Sequence, residues 1–126
     1  MSMRTPLGRA RGLGSAKSGV GHFWLQRVTA IGLIPLTLWF AFSCVHLSGL
    51  DYAAAKIWMA KPVNATLMIL AVVISLWHGV IGVQVVIEDY VHSPAAKWTG
   101  LIGIRLLGAF LAMYVIVAVS KVAFGG

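Results

Sequence analysis

Charge is scarce in this sequence. Only 10% of its 126 residues are Asp, Glu, Lys or Arg, three of them acidic, whereas a soluble globular domain carries about 25%. That deficit excludes an ordinary soluble domain. Cysteine is nearly absent as well: the single Cys44 rules out an internal disulfide, and its apolar neighbours assign it an inert packing role. No stretch alternates polar and apolar residues over more than a few positions, which argues against strands. Internal repeats and low-complexity segments are lacking too, and the length is that of one domain.

What is present is hydrophobic length. Apolar residues make up 60% of the chain, with a mean hydropathy of +0.90. Three stretches, about 28–47, 64–87 and 101–124, are long enough to span a bilayer, because about 20 apolar residues cross a hydrocarbon core of roughly 30 Å. The expected fold is an all-α membrane protein, with a basic segment at 1–27 and a three-helix transmembrane domain at 28–126. Gly49 is expected to supply a left-handed cap to the first span, Pro35 to kink it, and Asn64 to N-cap the second. Ser93-Pro94 closes the second span, and Trp98 anchors the entry to the third at the interface. The glycine-rich tail up to about Val20 is expected to be extended unless docked on a partner. Its Arg-rich, acid-free residues 4–19 resemble a transit peptide, and Cys44 follows residues that suggest a lipoprotein signal. The first apolar run is too long for a usual signal core, however, and Phe42 too bulky, so the segment reads as a retained helix.

The formal net charge is +7, and it is unevenly distributed. Arg4, Arg9, Arg11, Lys17 and Arg27 precede or enter the first span, which puts the N-terminus on the cytoplasmic side and the C-terminus outside. The 48–63 loop then faces out, and the 88–99 loop shares the cytoplasmic face with the basic tail. A basic tail abutting a hydrophobic span, without interleaved aromatics in a folded domain, points to anionic lipid or an acidic subunit rather than nucleic acid.

The chemistry concentrates on the second span. His78 lies deep in that apolar run, where an ionisable group is costly and marks function by default. It serves there either as a ligand or proton relay, or as a hydrogen-bond partner to a neighbouring helix. Asp89 follows eleven residues later, and at 100° per residue the two side chains share a helix face to within about 20°. Ala71, Ser75, Gly82 and Val85 fall on the same side, giving a groove lined mainly by small residues. Such a groove suits close helix packing, or a flat macrocycle whose iron binds the imidazole. His46 near the outer end of the first span and His22 in its approach are not level with His78. A haem bound by two imidazoles would therefore take its second ligand from another chain. Asp89-Tyr90 reads either as an interfacial anchor or as a polar pair meeting the oxygens of a membrane-soluble ligand. About 16 Å separates the Asp89 alpha carbon from that of His78, and electrons pass between redox groups held closer than that.

The run from His78 through Asp89-Tyr90 to His92 resembles the second-helix signature of the smaller haem-b membrane anchor of succinate dehydrogenase, respiratory complex II. The segment from His22 to Ile31 resembles that family's entry into its first helix, so the likeness covers the chain from about Gly21 onward. The resemblance implies that His78 is an axial ligand to the iron of haem b, with the other ligand on a larger anchor subunit. It implies that Tyr90 hydrogen-bonds a ubiquinone carbonyl, that Asp89 is the neighbouring acid of the quinone pocket, and that Arg27 lies near the haem propionates. The implied partners are that larger anchor, an iron–sulfur subunit and a flavoprotein carrying FAD, together with membrane lipid. The implied function is to anchor succinate oxidation to the membrane and help reduce ubiquinone, linking the tricarboxylic acid cycle to aerobic electron transport. The isolated chain is not expected to be catalytic. The alphaproteobacterial or mitochondrial-like branch is nearest in pattern, which implies the bacterial cytoplasmic membrane ahead of the mitochondrial inner membrane. Glu88 departs from the pattern by setting a second acid beside Asp89, which puts the proton route in question. The competing readings are an anchor of fumarate reductase and a non-redox helical packing or transport subunit.

Overall fold

The computed structural model describes residues 5–7 and 19–125. From Gly19 onward the described chain is four helices: α1 Gly19–Ser48, α2 Tyr52–Ala60, α3 Pro62–Tyr90 and α4 Pro94–Ala123. The long three are apolar enough to cross a membrane. At 29 or 30 residues each, they reach about 45 Å, so they outrun a hydrocarbon core of roughly 30 Å and extend into the headgroup layers.

That extra length corrects the expected ends. Residues 19–27, placed with the basic tail by composition, are helical and continue into α1. The last helix starts at Pro94, so Trp98 and Thr99 lie inside its first turns rather than ahead of it. Proline decides both later starts, because its missing N–H costs nothing at the first helical position and its fixed φ suits that turn. Lys61 holds the N-cap position of α3 ahead of Pro62 and Ser93 that of α4 ahead of Pro94, neither through a side-chain hydrogen bond. Asn64 is accordingly no N-cap; its Nδ2 donates to the Trp58 carbonyl, 2.8 Å away, tying α3 back to α2. Gly49 ends α1 without a left-handed turn, since among the described residues only Gly125 has positive φ. Pro35 lies within α1, which continues through it as one helix. Residues 1–4 and 8–18 of the expected extended tail lie outside the described residues.

The helical segment α2 falls where a loop is expected. Asp51 starts it, accepting a 2.8 Å hydrogen bond from the Ala54 amide. Trp58 then stacks on Trp39 of α1 with ring centroids 6.0 Å apart and meets His46 at 6.2 Å. Aromatic contacts thus tie α2 to the C-terminal half of α1.

Helix α3 is central, packed along α4 on one side and α1 on the other. A Cβ on Gly108 would sit 2.5 Å from Val80 Cγ2, and one on Gly100 would sit 3.3 Å from Ile87 Cδ1. These two glycines let α3 and α4 approach in antiparallel register, as small residues do in membrane bundles. Two hydroxyls inside the spans are satisfied locally: Ser43 donates to the Trp39 carbonyl at 2.7 Å and Ser75 to that of Ala71 at 2.6 Å. That back-bonding removes the cost of a bare hydroxyl in lipid. Cys44 is exposed on the chain's outer surface rather than packed within it.

Candidate functional site

Where α1 meets α3, a side-chain hydrogen bond joins the two helices. Thr29 Oγ1 lies 3.0 Å from His78 Nδ1. The same hydroxyl is 2.7 Å from the Leu25 carbonyl and 3.1 Å from that of Gln26. Thr29 is half-buried, as is His78. The pair sets the level at which the first and second spans are in register.

Beside it opens a cavity of about 590 Å³, lined by His22, Phe23, Gln26, Arg27 and Ala30 of α1, and by His78, Ile81, Gly82 and Val85 of α3. The walls are largely apolar, with the polar groups gathered on the α1 side. Gln26 Oε1 is buried and has no hydrogen-bond partner, a state that costs about 1–3 kcal/mol unless something else donates to it. A Cβ on Gly82 would meet nothing within 4 Å, so the floor of the cavity is open there. The Arg27 guanidinium lies over the Phe23 ring at 5.0 Å from its centroid, a cation–π contact at the cavity's edge.

His78 and Arg27 therefore border one cavity, and Gly82 and Val85 of the expected groove border it with them. Ala71 is buried and Ser75 is exposed; neither lines that cavity. His22 does border it. Seven residues separate it from Thr29, an offset of about 10 Å along the helix axis. It therefore sits at the rim rather than opposite the imidazole. Tyr90 and Asp89 are exposed at the last turn of α3, with 76% of Tyr90 accessible. They are not brought into the cavity.

A second cavity of about 500 Å³ runs between α1, α3 and α4, with His22, Gln84 and Arg105 among its lining. Gln84 is buried and donates to Glu88 Oε1 at 3.0 Å. Gln84, Arg105, Gln26 and Thr29 are absent from the site inferred from the sequence. A cation and an amide within apolar runs are themselves signals at Arg105 and Gln84. Thr29 and Gln26 gave no such signal, because their significance depends on which helix lies opposite. Among the described residues no three His, Cys, Asp or Glu side chains gather as for a bare metal ion.

Residues 1–119 match the family described as succinate dehydrogenase/fumarate reductase transmembrane subunit. A succinate dehydrogenase hydrophobic membrane anchor subunit of Rickettsia bellii is 37% identical over 116 residues, covering 92% of this chain and 93% of the relative. The protein of the same description from Paracoccus denitrificans is 31% identical, with 74% of this chain and 72% of the relative covered. A succinate dehydrogenase membrane anchor subunit of Reclinomonas americana is 31% identical, covering 78% of this chain and 84% of its own length. No solved structure matches the chain. With a family match across nearly its whole length and three helices able to span a bilayer, the chain belongs to the succinate dehydrogenase/fumarate reductase transmembrane subunits, as a membrane anchor subunit of succinate dehydrogenase.

Proposed function

We propose that this anchor co-ligates haem b through His78 and contributes Tyr90 and Asp89 to a ubiquinone-reduction site at the cytoplasmic edge of the membrane. The observation that carries the proposal is the cavity shared by His78 and Arg27, with the unpartnered Gln26 carbonyl oxygen buried in its wall. A haem suits these residues in each respect. Its flat apolar face suits Ile81, Gly82 and Val85, its iron suits an imidazole, and its propionates suit the Arg27 guanidinium. Haem, when bound, supplies a one-electron store beside the route from the iron–sulfur clusters to quinone. A second ligand to the iron would come from the larger anchor subunit, since His22 lies about two helical turns from the level of Thr29 and His78. The iron–sulfur and FAD-bearing flavoprotein subunits dock on the face that carries the basic N-terminal tail.

At that face Tyr90 donates its phenolic hydrogen to a quinone carbonyl oxygen, polarising it for reduction. Asp89 holds a proton next to it and passes it on through water. Gln84 keeps Glu88 engaged one turn earlier on α3, through the 3.0 Å bond from Nε2 to Oε1. That engagement leaves Asp89 as the acid beside the phenol. The bacterial relatives favour the bacterial cytoplasmic membrane as the setting.

In the complex purified through this chain, Tyr90→Phe should slow succinate-driven ubiquinone reduction about tenfold, the equivalent of one lost hydrogen bond to a group gaining charge. Succinate oxidation by a soluble artificial acceptor should stay intact. Equal loss of both activities would mean that Tyr90 supports assembly instead, and would overturn its role at the quinone. A complex that reduces fumarate with quinol faster than it oxidises succinate would assign the chain to the fumarate direction.

A further inference from the structure

A histidine in a membrane helix is useful as an iron ligand only if the correct ring nitrogen carries a free lone pair, and the tautomer is fixed by whatever the other nitrogen bonds. In this chain that partner is Thr29. Its hydroxyl has one hydrogen to give, and the nearest acceptor is the Leu25 carbonyl at 2.7 Å, with the Gln26 carbonyl a second choice at 3.1 Å. Both are backbone carbonyls of the same helix turn, an arrangement that β-branched hydroxyl residues adopt readily in apolar helices. With the hydrogen so directed, the oxygen presents its lone pairs to His78 Nδ1, 3.0 Å away, and accepts the Nδ1 hydrogen. Nε2 is then left as the unprotonated nitrogen of a residue that lines the 590 Å³ cavity.

We infer that Thr29 is a positioning residue for His78: it accepts the Nδ1 hydrogen, fixes the ring against α1, and holds Nε2 free as the iron-ligating nitrogen. The inference rests on the proposed haem ligation. The hydrogen bond does two things at once. It prevents the imidazole from rotating about its χ2 bond, since rotation would strand a polar N–H in lipid. It also raises the electron-donating power of Nε2, which favours the ferric over the ferrous state. Because the contact runs from α1 to α3, the same bond couples helix register to ligand orientation.

Two variants and two readouts test it. Thr29→Val keeps the branched shape without the hydroxyl, and Thr29→Ser keeps the hydroxyl. In the purified complex, Thr29→Val should lower haem affinity about 10- to 100-fold and move the haem midpoint potential to more positive values. Thr29→Ser should restore both toward wild type. The artificial-acceptor activity and subunit ratio should match wild type in every variant. The second readout is independent of haem: 15N-histidine NMR of the full chain in bilayers, with the His78 signals assigned by their loss in His78→Ala. Wild type should show Nδ1 protonated and Nε2 not, and Thr29→Val should lose that preference. A wild-type His78 protonated on Nε2 would overturn the inference, as would a Thr29→Val potential equal to wild type in a haem-containing complex. A wild-type complex without haem, but with the Nδ1-protonated tautomer, would instead overturn the haem reading and leave the Thr29–His78 bond standing.

Discussion

A neutral imidazole inside a bilayer must satisfy two nitrogens, and this chain satisfies one of them. Thr29 meets Nδ1 of His78, while the ring borders a cavity in which Gln26 Oε1 is also unpartnered. A buried polar atom without a partner in a cavity wall calls for a donor from outside the chain. Gly82 allows the ligand's volume to be tested directly. Its added Cβ meets nothing in the chain, so Gly82→Val should leave the fold intact yet occupy cavity space, cutting haem content per flavin severalfold in the purified complex. Unchanged haem content would place the macrocycle elsewhere. Arg27→Ala should also weaken haem retention, while its effect on chain stability should stay within about 1 kcal/mol, the size of an exposed cation–π contact. His78 was legible in the sequence because an ionisable residue in an apolar run stands out by chemistry alone. Thr29 and Gln26 did not stand out: a hydroxyl or amide in a membrane helix acquires meaning only from the helix that faces it, and local sequence does not encode that pairing.

At the level of elements, the bundle depends on glycine at one contact and tolerates substitution at another. The Cβ of a Gly108→Ala variant would lie 2.5 Å from Val80 Cγ2, whereas Gly103→Ala on the same helix meets nothing within 4 Å. Overpacking of that kind costs about 1–3 kcal/mol, so Gly108→Ala should destabilise the chain by that amount in a reversible unfolding assay in bicelles, and Gly103→Ala should be silent. Val80→Ala should rescue Gly108→Ala, because the two changes share one contact and are not additive. A Gly108→Ala variant as stable as wild type would mean that α3 and α4 pack less closely. The three spans themselves were readable from hydrophobic length, yet their ends were not. Hydropathy reports where apolar residues stop, while the helices continue for as long as backbone hydrogen bonds can be made, which at the starts of α3 and α4 means back to Pro62 and Pro94. The short α2 escaped notice because its nine residues mix Lys with Ala and Trp, and its place is fixed by the Asp51 cap and the Trp39–Trp58 stack.

As a whole molecule the chain is mostly surface. Only 6%, 11% and 6% of the apolar windows of α1, α3 and α4 are buried within it, so lipid or partner subunits must cover the remainder. Tyr90 at the end of α3 is among the exposed residues, which fits a quinone pocket whose other walls belong to neighbouring subunits. The chain made without those neighbours should insert in the membrane and yet turn over faster than in the complex, as a pulse-chase comparison would read. Equal lifetimes would indicate that lipid alone suffices as its partner. In the proposed reading the labour is divided: His78 and Arg27, which border one cavity, would hold the haem, exposed Tyr90 would meet the quinone, and neighbouring subunits would complete both sites.

The reduced-minus-oxidised spectrum of the complex purified through this chain, recorded for wild type and His78→Ala together, tests that division most directly. The expected result is a b-type band in wild type that is lost in the variant, with flavin content and artificial-acceptor activity unchanged. A wild-type complex without the band, or a His78→Ala complex that keeps it in full, would contradict haem ligation by His78.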